Sequence, residues 1–391
     1  MSSFPGLIDE IPGISVDRFN GDNFNSAVFF LSHCHTDHMQ GLDLQFFQRI
    51  HDKHQYLYCT PISKAILINM FKLNDNLVNT IRTIDGCSPI IINYNQDSKI
   101  LYLTVTCIPA GHCPGSIGFL FENEQYRILY TGDFRFDIDD LSKIKPLHTN
   151  VQDKIIPKKF DTIYLDTTFF NSEFRYLPSR QKALREICKI VDNWISQNEK
   201  NIVVLECSAN YGPEHLFIEL SKALGIRIHV KDKVFNSYTI IPELANCISD
   251  NPRESKIHAC MGKLNFRSGM YCRSDVEPEF ILTVVPSTLR WRNKNVSKCI
   301  FEWDENSRRF YVCYSCHSSH DELEAFIKYF SPDKLYPCVC PNNLKFEEFK
   351  SQLNQVLNSS TINASNYDLN LSRYKSLIEV NPDVSNFSDD D

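Results

Sequence analysis

The chain has 391 residues, 42% of them hydrophobic and 12% aromatic, with a formal net charge of −7. That length exceeds one ordinary core and predicts two compact domains, or one layered domain with an insertion. The mildly acidic balance excludes a chain that holds nucleic acid by overall charge, so any phosphate affinity must be local.

From the N-terminus, "MSSFPGLIDEIPG" carries neither the basic nor the apolar segment of a secretion signal. The cysteines number 15, an odd count, and are scattered from Cys34 to Cys340. Both features favour a reducing compartment with free or metal-bound thiols over a disulfide framework. The apolar runs, such as "FILTVV" at 280–285, are far too short to span a bilayer, so no membrane partner is expected.

Up to about residue 168, short apolar runs alternate with turns. "AVFFL", "YLYC", "PIIINY", "ILYLTVTCIPAG", "IGFLFE", "YRILYTGD" and "DTIYLDTTF" each predict a strand, which together predict packed sheets. Directly after "AVFFL" stands "SHCHTDHMQG", with His33, His35, Asp37 and His38 within six positions. Met39, Gly41 and Leu42 then predict the start of a helix. Alternating His33 and His35 point the same way on an extended chain. A catalytic zinc ion takes about three protein ligands, so four candidate ligands here suggest two ions. Two later turns match this pattern of strand, glycine and ligand: "PAGHCPGS" with His112 and "LYTGDFR" with Asp133. Alone, either residue would be an ordinary turn residue; with the first motif they form a set.

From residue 180 to 300 the text changes to strand–helix alternation. "SRQKALREICKIVDNWISQ" places Leu184, Ile187, Val191, Trp194 and Ile195 on one helical face behind the cap residue Ser179. "IVVLEC" predicts a strand, and "PEHLFIELSKALG" a helix opened by Pro213 and closed by Gly225. From Phe310 strand character returns in "RFYVCYSC", followed by a helix from Asp321 to Phe330. In "CYSCHSSHDELEAF", Ser315, His317, Ser318 and Ser319 precede that helix, and Ser319 with Glu322 form a capping-box pattern. A helix N-terminus flanked by hydroxyls and a histidine suits a phosphate. Beyond 355 the chain is polar and Asn/Ser-rich, which predicts a disordered tail over 356–391.

HxHxDH, a GH turn and a TGD turn, in this order, resemble the metallo-β-lactamase fold. The resemblance implies that His33, His35 and His112 hold one metal, Asp37 and His38 a second, and that Asp133 bridges. Two ions about 3.5–4 Å apart activate water and stabilise both the attacking and leaving oxygens of an in-line displacement. "IYLDTTF" with Asp166 and Thr167, the α/β insertion and His317 narrow this to the β-CASP branch, whose members cleave nucleic acids. In detail the chain is similar to that branch's DNA-repair nucleases, through "MSSF", "ISVDRF", "PSRQ" and "PSTLRW" as well as the catalytic motifs.

That resemblance implies a four-layer αββα sandwich (α/β, in the α+β sense). Residues 1–168 and 310–355 form the lactamase-like domain, and 169–309 the insertion. It implies catalytic roles for Asp37, Asp133, Asp166 and His317. Zinc is expected in one or both active-site positions, with Mg²⁺ or Mn²⁺ as other candidates for the second. His229, His258, Cys260 and Cys272 have the composition of a structural zinc site. Spacing alone leaves them equally readable as small buried residues, whereas the resemblance assigns zinc. Thr167, Ser315, Ser318 and Ser319 are candidate phosphate contacts. Arg290, Arg292, Lys294 and Lys298, interleaved with Trp291, would track a phosphate backbone or form a solvated turn.

The implied substrates are DNA hairpins, overhangs and single-strand/double-strand junctions, cut in the nucleus during non-homologous end joining. A monomer is expected, with a DNA-dependent protein kinase and an end-joining ligase complex as partners by resemblance. An RNA-processing nuclease of the same branch is the main alternative, and a small-molecule metallo-hydrolase a lesser one. Three positions bear on the choice. Val339 stands where RNA-cleaving members place a histidine. Glu206 and Ser208 stand where the DNA-repair members carry asparagine and lysine, which should weaken terminal-phosphate anchoring. The family's long regulatory tail has no counterpart in the short polar stretch after 355.

Overall fold

The computed structural model describes residues 2–207, 212–260, 270–341 and 344–360. Three sheets organise them. The first is all parallel, in the order Ile14–Val16, Val28–Phe30, Tyr56–Cys59 and Ile81–Thr83. The second has six strands in the order Lys334–Pro337, Thr162–Leu165, Arg127–Tyr130, Ile117–Glu122, Lys99–Pro109 and Ile90–Gln96. Its first three strands are parallel and the rest antiparallel.

Side-chain alternation makes these two sheets a sandwich. Val28 and Phe30 face inward and pack with Phe119, Phe121, Ile128, Tyr130 and Tyr164 of the second sheet. Phe29 and Leu31 face the other way, against Phe46, Phe47, Ile50, Ile66 and Leu67 of the helices Leu44–Asp52 and Pro61–Phe71. Across the second sheet, Leu129, Ile163 and Leu165 face Leu323, Phe326, Phe349 and Leu353 of the helices His320–Phe330 and Phe346–Ser360. The layers therefore run helix, sheet, sheet, helix, as expected.

Local sequence explains the helix starts. The Asp43 carboxylate accepts from the Phe46 N–H at 2.7 Å. Thr60 accepts from Ser63 N at 3.2 Å, with Pro61 pre-set for the first helical turn. The first of these corrects an expectation. Met39–Leu42 do not begin the helix, which opens at Leu44 behind Asp43; Thr36–His38 instead form one 3₁₀ turn.

The third sheet is the insertion. Its order is Ile248–Ser249, Ile228–His229, Ile257–His258, Ile202–Leu205, Ile281–Ser287, Arg309–Cys313 and Phe301–Asp304, parallel except for the last strand. Helix Arg180–Gln197, capped by Ser179, and helix Glu214–Leu224, ended by a left-handed Gly225, pack on it. The strand from Phe310, expected to reopen the lactamase-like domain, belongs to this inserted sheet, so the return falls after Cys313. Helix Phe346–Ser360 likewise runs past the tail boundary expected at 356. Residues 361–391 lie outside the described residues. One apolar cluster runs from the helices on the first sheet into the insertion, joining Phe47 and Leu67 to Phe217, Val203 and Leu282. The insertion is therefore packed into the molecule's core.

Phe30 is fully buried between the sheets and meets Phe119 at 5.3 Å and Phe121 at 5.0 Å between ring centroids. We expect Phe30→Ala to cost about 3–5 kcal/mol through the cavity it leaves, read as a lowered urea midpoint.

Candidate metal centre

The histidine motif begins two residues past the strand Val28–Phe30. The neighbouring strand Ile14–Val16 pairs with it in parallel register, Val16 beside Phe30, so the next residue, Asp17, emerges beside Ser32. Asp17 adopts a left-handed backbone, φ 56°, which aspartate tolerates better than most residues. Its buried carboxylate accepts four hydrogen bonds: Ser32 N at 2.7 Å, Ser32 Oγ at 2.6 Å, Tyr130 OH at 2.8 Å and His38 Nδ1 at 2.8 Å.

This arrangement settles tautomers. The Ser32 hydroxyl has one proton and gives it to Asp17, so at 2.9 Å it accepts from His33 Nδ1. His33 and His38 both carry their proton on Nδ1, which turns Nε2 toward the site. His112 donates Nδ1–H to the Cys316 carbonyl at 3.1 Å, with the same effect. The His112 turn needs Gly111, at φ 67°, where an added Cβ would lie 2.8 Å from the Arg135 carbonyl. The Asp133 turn needs Gly132, at φ 57°, for the same reason: its Cβ would lie 3.0 Å from the Ile117 carbonyl.

All converge on Asp133. Its Oδ2 lies 3.7 Å from His33 Nε2 and 3.6 Å from His112 Nε2. Its Oδ1 lies 3.2 Å from His38 Nε2. The two oxygens thus face two different groups of nitrogens, as a bridging carboxylate must. His35 Nδ1 lies 3.1 Å from His112 Nε2, and Asp37 Oδ2 3.9 Å from His38 Nε2. His33 Nε2 and His38 Nε2, both close to Asp133, are buried with no other hydrogen-bond partner. Orphaned nitrogens around one carboxylate fit a metal centre. The ligand atoms of His33, His35, His112 and Asp133 all lie within 4.8 Å of one another.

The electrostatics agree. Burial holds His33 and His112 well below the usual imidazole range and lowers His35 to about 4, so these stay neutral and able to ligate. Burial opposes a charge on His38, but the Asp133 and Asp17 carboxylates outweigh it and hold the imidazole well above its usual range. Burial would likewise raise Asp133, and the surrounding His38 and His317 keep it well below the carboxylate range.

His317 stands beside this centre, with Nε2 3.9 Å from Asp133 Oδ2 and Nδ1 2.8 Å from Asp166 Oδ2. Burial would discharge it, but Asp166 and Asp133 prevail and lift it to about 9. Asp166 also accepts from Thr168 N at 3.0 Å and Thr168 Oγ1 at 2.6 Å. It orients His317 from behind. A cavity of about 280 Å³ opens over the centre, lined by His35, Asp37, Asp133, His317, Thr168 and Val339 among others.

Several expected phosphate contacts are otherwise engaged. Thr167 is buried, and its hydroxyl donates to the Val339 carbonyl at 2.5 Å and accepts from Val339 N at 3.1 Å. Its neighbour Thr168 is the threonine that lines the cavity. Ser315 Oγ donates to the His317 carbonyl at 2.8 Å, and Ser318 Oγ to the Phe134 carbonyl at 3.2 Å. Ser319 caps the helix in a complete capping box with Glu322, so those N–H groups are already satisfied. The three serines shape the loop that carries His317. The buried Arg135 binds that loop to the insertion through the Ser315 carbonyl at 3.0 Å, the Pro178 carbonyl at 2.9 Å and Glu322 at 3.0 Å.

The basic stretch is also largely paired. Arg290 lies 3.0 Å from Glu302 and 3.6 Å above the Tyr311 ring, Lys294 reaches the same Glu302 at 2.5 Å, and Arg292 reaches Glu173 at 3.3 Å. Lys298 is exposed. Glu206 pairs with Arg309 at 3.1 Å, so the extra anion noted in the sequence is compensated internally. Ser208 lies outside the described residues.

A second constellation sits in the insertion. His229 and His258 are register partners on adjacent parallel strands, their Nδ1 atoms 3.0 Å apart. Cys260 Sγ lies 3.4 Å from Cys272 Sγ, which lies 3.6 Å from His258 Nδ1. The two edges that involve sulfur fall within the roughly 3.3–3.8 Å of a zinc tetrahedron with ordinary Zn–N and Zn–S bonds, and the nitrogen–nitrogen edge is somewhat shorter. His258 Nε2 donates to the Ser255 carbonyl at 3.1 Å, which leaves Nδ1 free to ligate. The Cys260 thiol and both imidazoles stabilise a thiolate at Cys272 and lower its pKa.

Asp17 and Thr168 were missed in the sequence reading. An aspartate directly after the short apolar run of "ISVDRF" was the available signal for the first.

Removing the Asp17 hub by Asp17→Asn should weaken metal retention about 10- to 100-fold, read by metal analysis after dialysis against buffers of set metal activity. Cys272→Ser should lose about one zinc per chain and lower the melting temperature, since structural zinc binding is folding energy. Unchanged zinc content would dismiss the quartet as a site.

Comparison with known proteins agrees with this geometry. A family model described as DNA repair metallo-beta-lactamase matches residues 242–343, and one described as Anti-Pycsar protein Apyc1 matches residues 19–167. The chain is 35% identical over 375 residues to "Protein artemis" of Rattus norvegicus, covering 92% of this chain and 52% of that protein. To "Protein artemis" of Homo sapiens it is 34% identical over 376 residues, covering 92% and 52%. To "5' exonuclease Apollo" of Rattus norvegicus it is 27% identical over 334 residues, covering 85% and 54%. The chain spans about half the length of the curated relatives it matches. With its αββα sandwich, third sheet and candidate metal-binding constellation, the chain is similar over 92% of its length to proteins named artemis, and its residues 242–343 match the DNA repair metallo-beta-lactamase model.

Proposed function

We propose that the protein is a metal-dependent DNA nuclease of Artemis type, which opens hairpins and trims overhangs in end joining. The observation that carries this is the bridging posture of Asp133, with Oδ1 toward His38 and Oδ2 toward His33 and His112. His33, His35, His112 and Asp133 would hold one ion; Asp37, His38 and Asp133 would hold the other. Zinc suits the histidine-rich first position, and Mg²⁺ or Mn²⁺ also suits the second, which is richer in carboxylate. Two divalent ions in such a site supply Lewis-acid activation of water and neutralise phosphate charge.

This chain's own residues do the rest. Asp17 and Ser32 fix the imidazoles. Asp166 keeps the proton of His317 Nδ1 engaged, so that Nε2–H faces the cavity as a donor to a phosphate or leaving oxygen. Val339 places an apolar side chain on the cavity wall and supplies no further ligand. This favours DNA over RNA as substrate, given the histidine that the RNA-cleaving members place there. Thr168 lines the cavity with its hydroxyl donated to Asp166, and the paired Arg290, Arg292 and Lys294 would contact DNA only by exchanging a carboxylate for a phosphate. On this reading the protein would act in the nucleus, and as a monomer by resemblance. Its partners there would be a DNA-dependent protein kinase and an end-joining ligase complex. The quartet of His229, His258, Cys260 and Cys272 would hold a structural zinc.

The test is cleavage of end-labelled DNA hairpins across a metal titration, beside single-stranded RNA and a thioester. Hairpin cleavage with little RNA or thioester turnover is expected; equal cutting of matched DNA and RNA strands would reject the substrate reading. Asp133→Asn should abolish cleavage with normal melting, because a neutral amide cannot hold two cations comparably. Activity within a few-fold of wild type would reject the bridging role.

A further inference from the structure

The first residues of the chain reach the metal centre. The Ser2 backbone N–H donates to Asp37 Oδ2 at 3.0 Å, and Ser2 lines the cavity together with Val339. Among the described residues this is the hydrogen bond recorded for the Asp37 side chain, which is otherwise 27% exposed on a single 3₁₀ turn. A carboxylate so placed is free to change rotamer unless something holds it.

The segment that holds it is itself tied down. Ser3 N donates to the Cys338 carbonyl at 2.9 Å, and Ser3 Oγ to the same carbonyl at 3.2 Å. Cys340 N donates to Ser3 Oγ at 2.8 Å. Ser3 is thereby buckled to both sides of Val339. Phe4 is buried against Tyr130, Tyr164 and Tyr336, with centroids 5.3, 5.4 and 5.8 Å away. Tyr130 is also a donor to Asp17, so the anchor of this segment and the hub behind His38 share a residue.

We propose that Ser2–Phe4 is a positioning strap of the metal centre, which fixes the Asp37 carboxylate and thereby sets the affinity of the second ion. The inference rests on the two-ion reading of the site. A carboxylate oxygen has two lone-pair directions, so it can accept the Ser2 N–H and still ligate a cation. Hydrogen-bond partners behind a ligating carboxylate change metal affinity by about 10- to 100-fold when lost. Among the described residues no hydrogen bond joins Ser2–Phe4 to His33, His35, His112 or Asp133, which would hold the first ion, so that ion should not respond to the strap.

The test acts on the buckle. Ser3→Pro removes both the N–H and the hydroxyl, Ser3→Ala removes the hydroxyl alone, and Ser3→Thr keeps both. The full-length protein with one ion bound is titrated with Mn²⁺ by calorimetry, and its metal content and melting are measured in parallel. Ser3→Pro should bind the second ion about 10- to 100-fold more weakly and Ser3→Ala less so, with Ser3→Thr restored to near wild type. First-ion content and melting should stay as in wild type. Second-ion affinity unchanged in Ser3→Pro, or both ions weakened together, would overturn the strap. Failure of the wild type itself to take up a second ion would overturn the two-ion reading, and the strap with it.

Discussion

The candidate metal centre depends on one buried carboxylate that stands behind its histidines. Asp17 accepts from Ser32, Tyr130 and His38 at once, and through the Ser32 hydroxyl it also sets His33. An imidazole can offer a lone pair to a cation only if its other nitrogen carries the proton. A single acceptor behind two imidazoles therefore decides which atoms face the site. The strand that delivers Asp17 is only three residues long, yet its parallel register with Val28–Phe30 leaves no freedom in where the carboxylate emerges. A one-residue slip would turn Asp17 to the opposite face.

The same logic recurs at each ligand. His112 is set by the Cys316 carbonyl, His317 by Asp166, His258 by the Ser255 carbonyl and Asp37 by the Ser2 N–H. Except at His258, whose partner is three residues away, a residue distant in sequence supplies the orienting group. Residues 315–319 are central to this: Cys316 orients His112, while Ser315, Ser318 and Ser319 spend their hydroxyls on backbone and on the helix cap. Arg135, buried beside Glu322, holds that loop against the start of helix Arg180–Gln197. Breaking such a pair by removing one partner strands a buried charge, so the loop has little latitude to move.

The cavity that results is lined from both parts of the molecule, with Asp133 and His317 on the sandwich side and Gly212 on the insertion side. The apolar cluster that continues from the outer helices into the inserted sheet gives this junction a packed interior. The basic residues of 290–294 are matched by Glu302 and Glu173, which accords with a chain whose overall charge is negative.

By itself, the sequence determined what depends on local pattern. The period-2 strands, the capped helices at Ser179 and Ser319, and the HxHxDH, GH and TGD turns were all legible, because each is written in adjacent residues. The turns that carry the candidate ligands were legible too, since glycine before His112 and before Asp133 marks a turn that no other residue fits well. What only the tertiary structure decided is how distant segments share hydrogen bonds. Asp17 is an ordinary strand-end aspartate until the parallel register sets it beside Ser32. Thr167 and Thr168 are indistinguishable on paper, and only the pairing of Thr162–Leu165 with Lys334–Pro337 sends the first hydroxyl to Val339, while the second goes to Asp166 on the cavity wall. Strand Arg309–Cys313 carries no local mark of which sheet it joins; its partner, Ile281–Ser287, makes that choice. Backbone propensity and side-chain period act over a few residues, whereas orientation of a ligand is a contact between segments that the chain brings together only on folding.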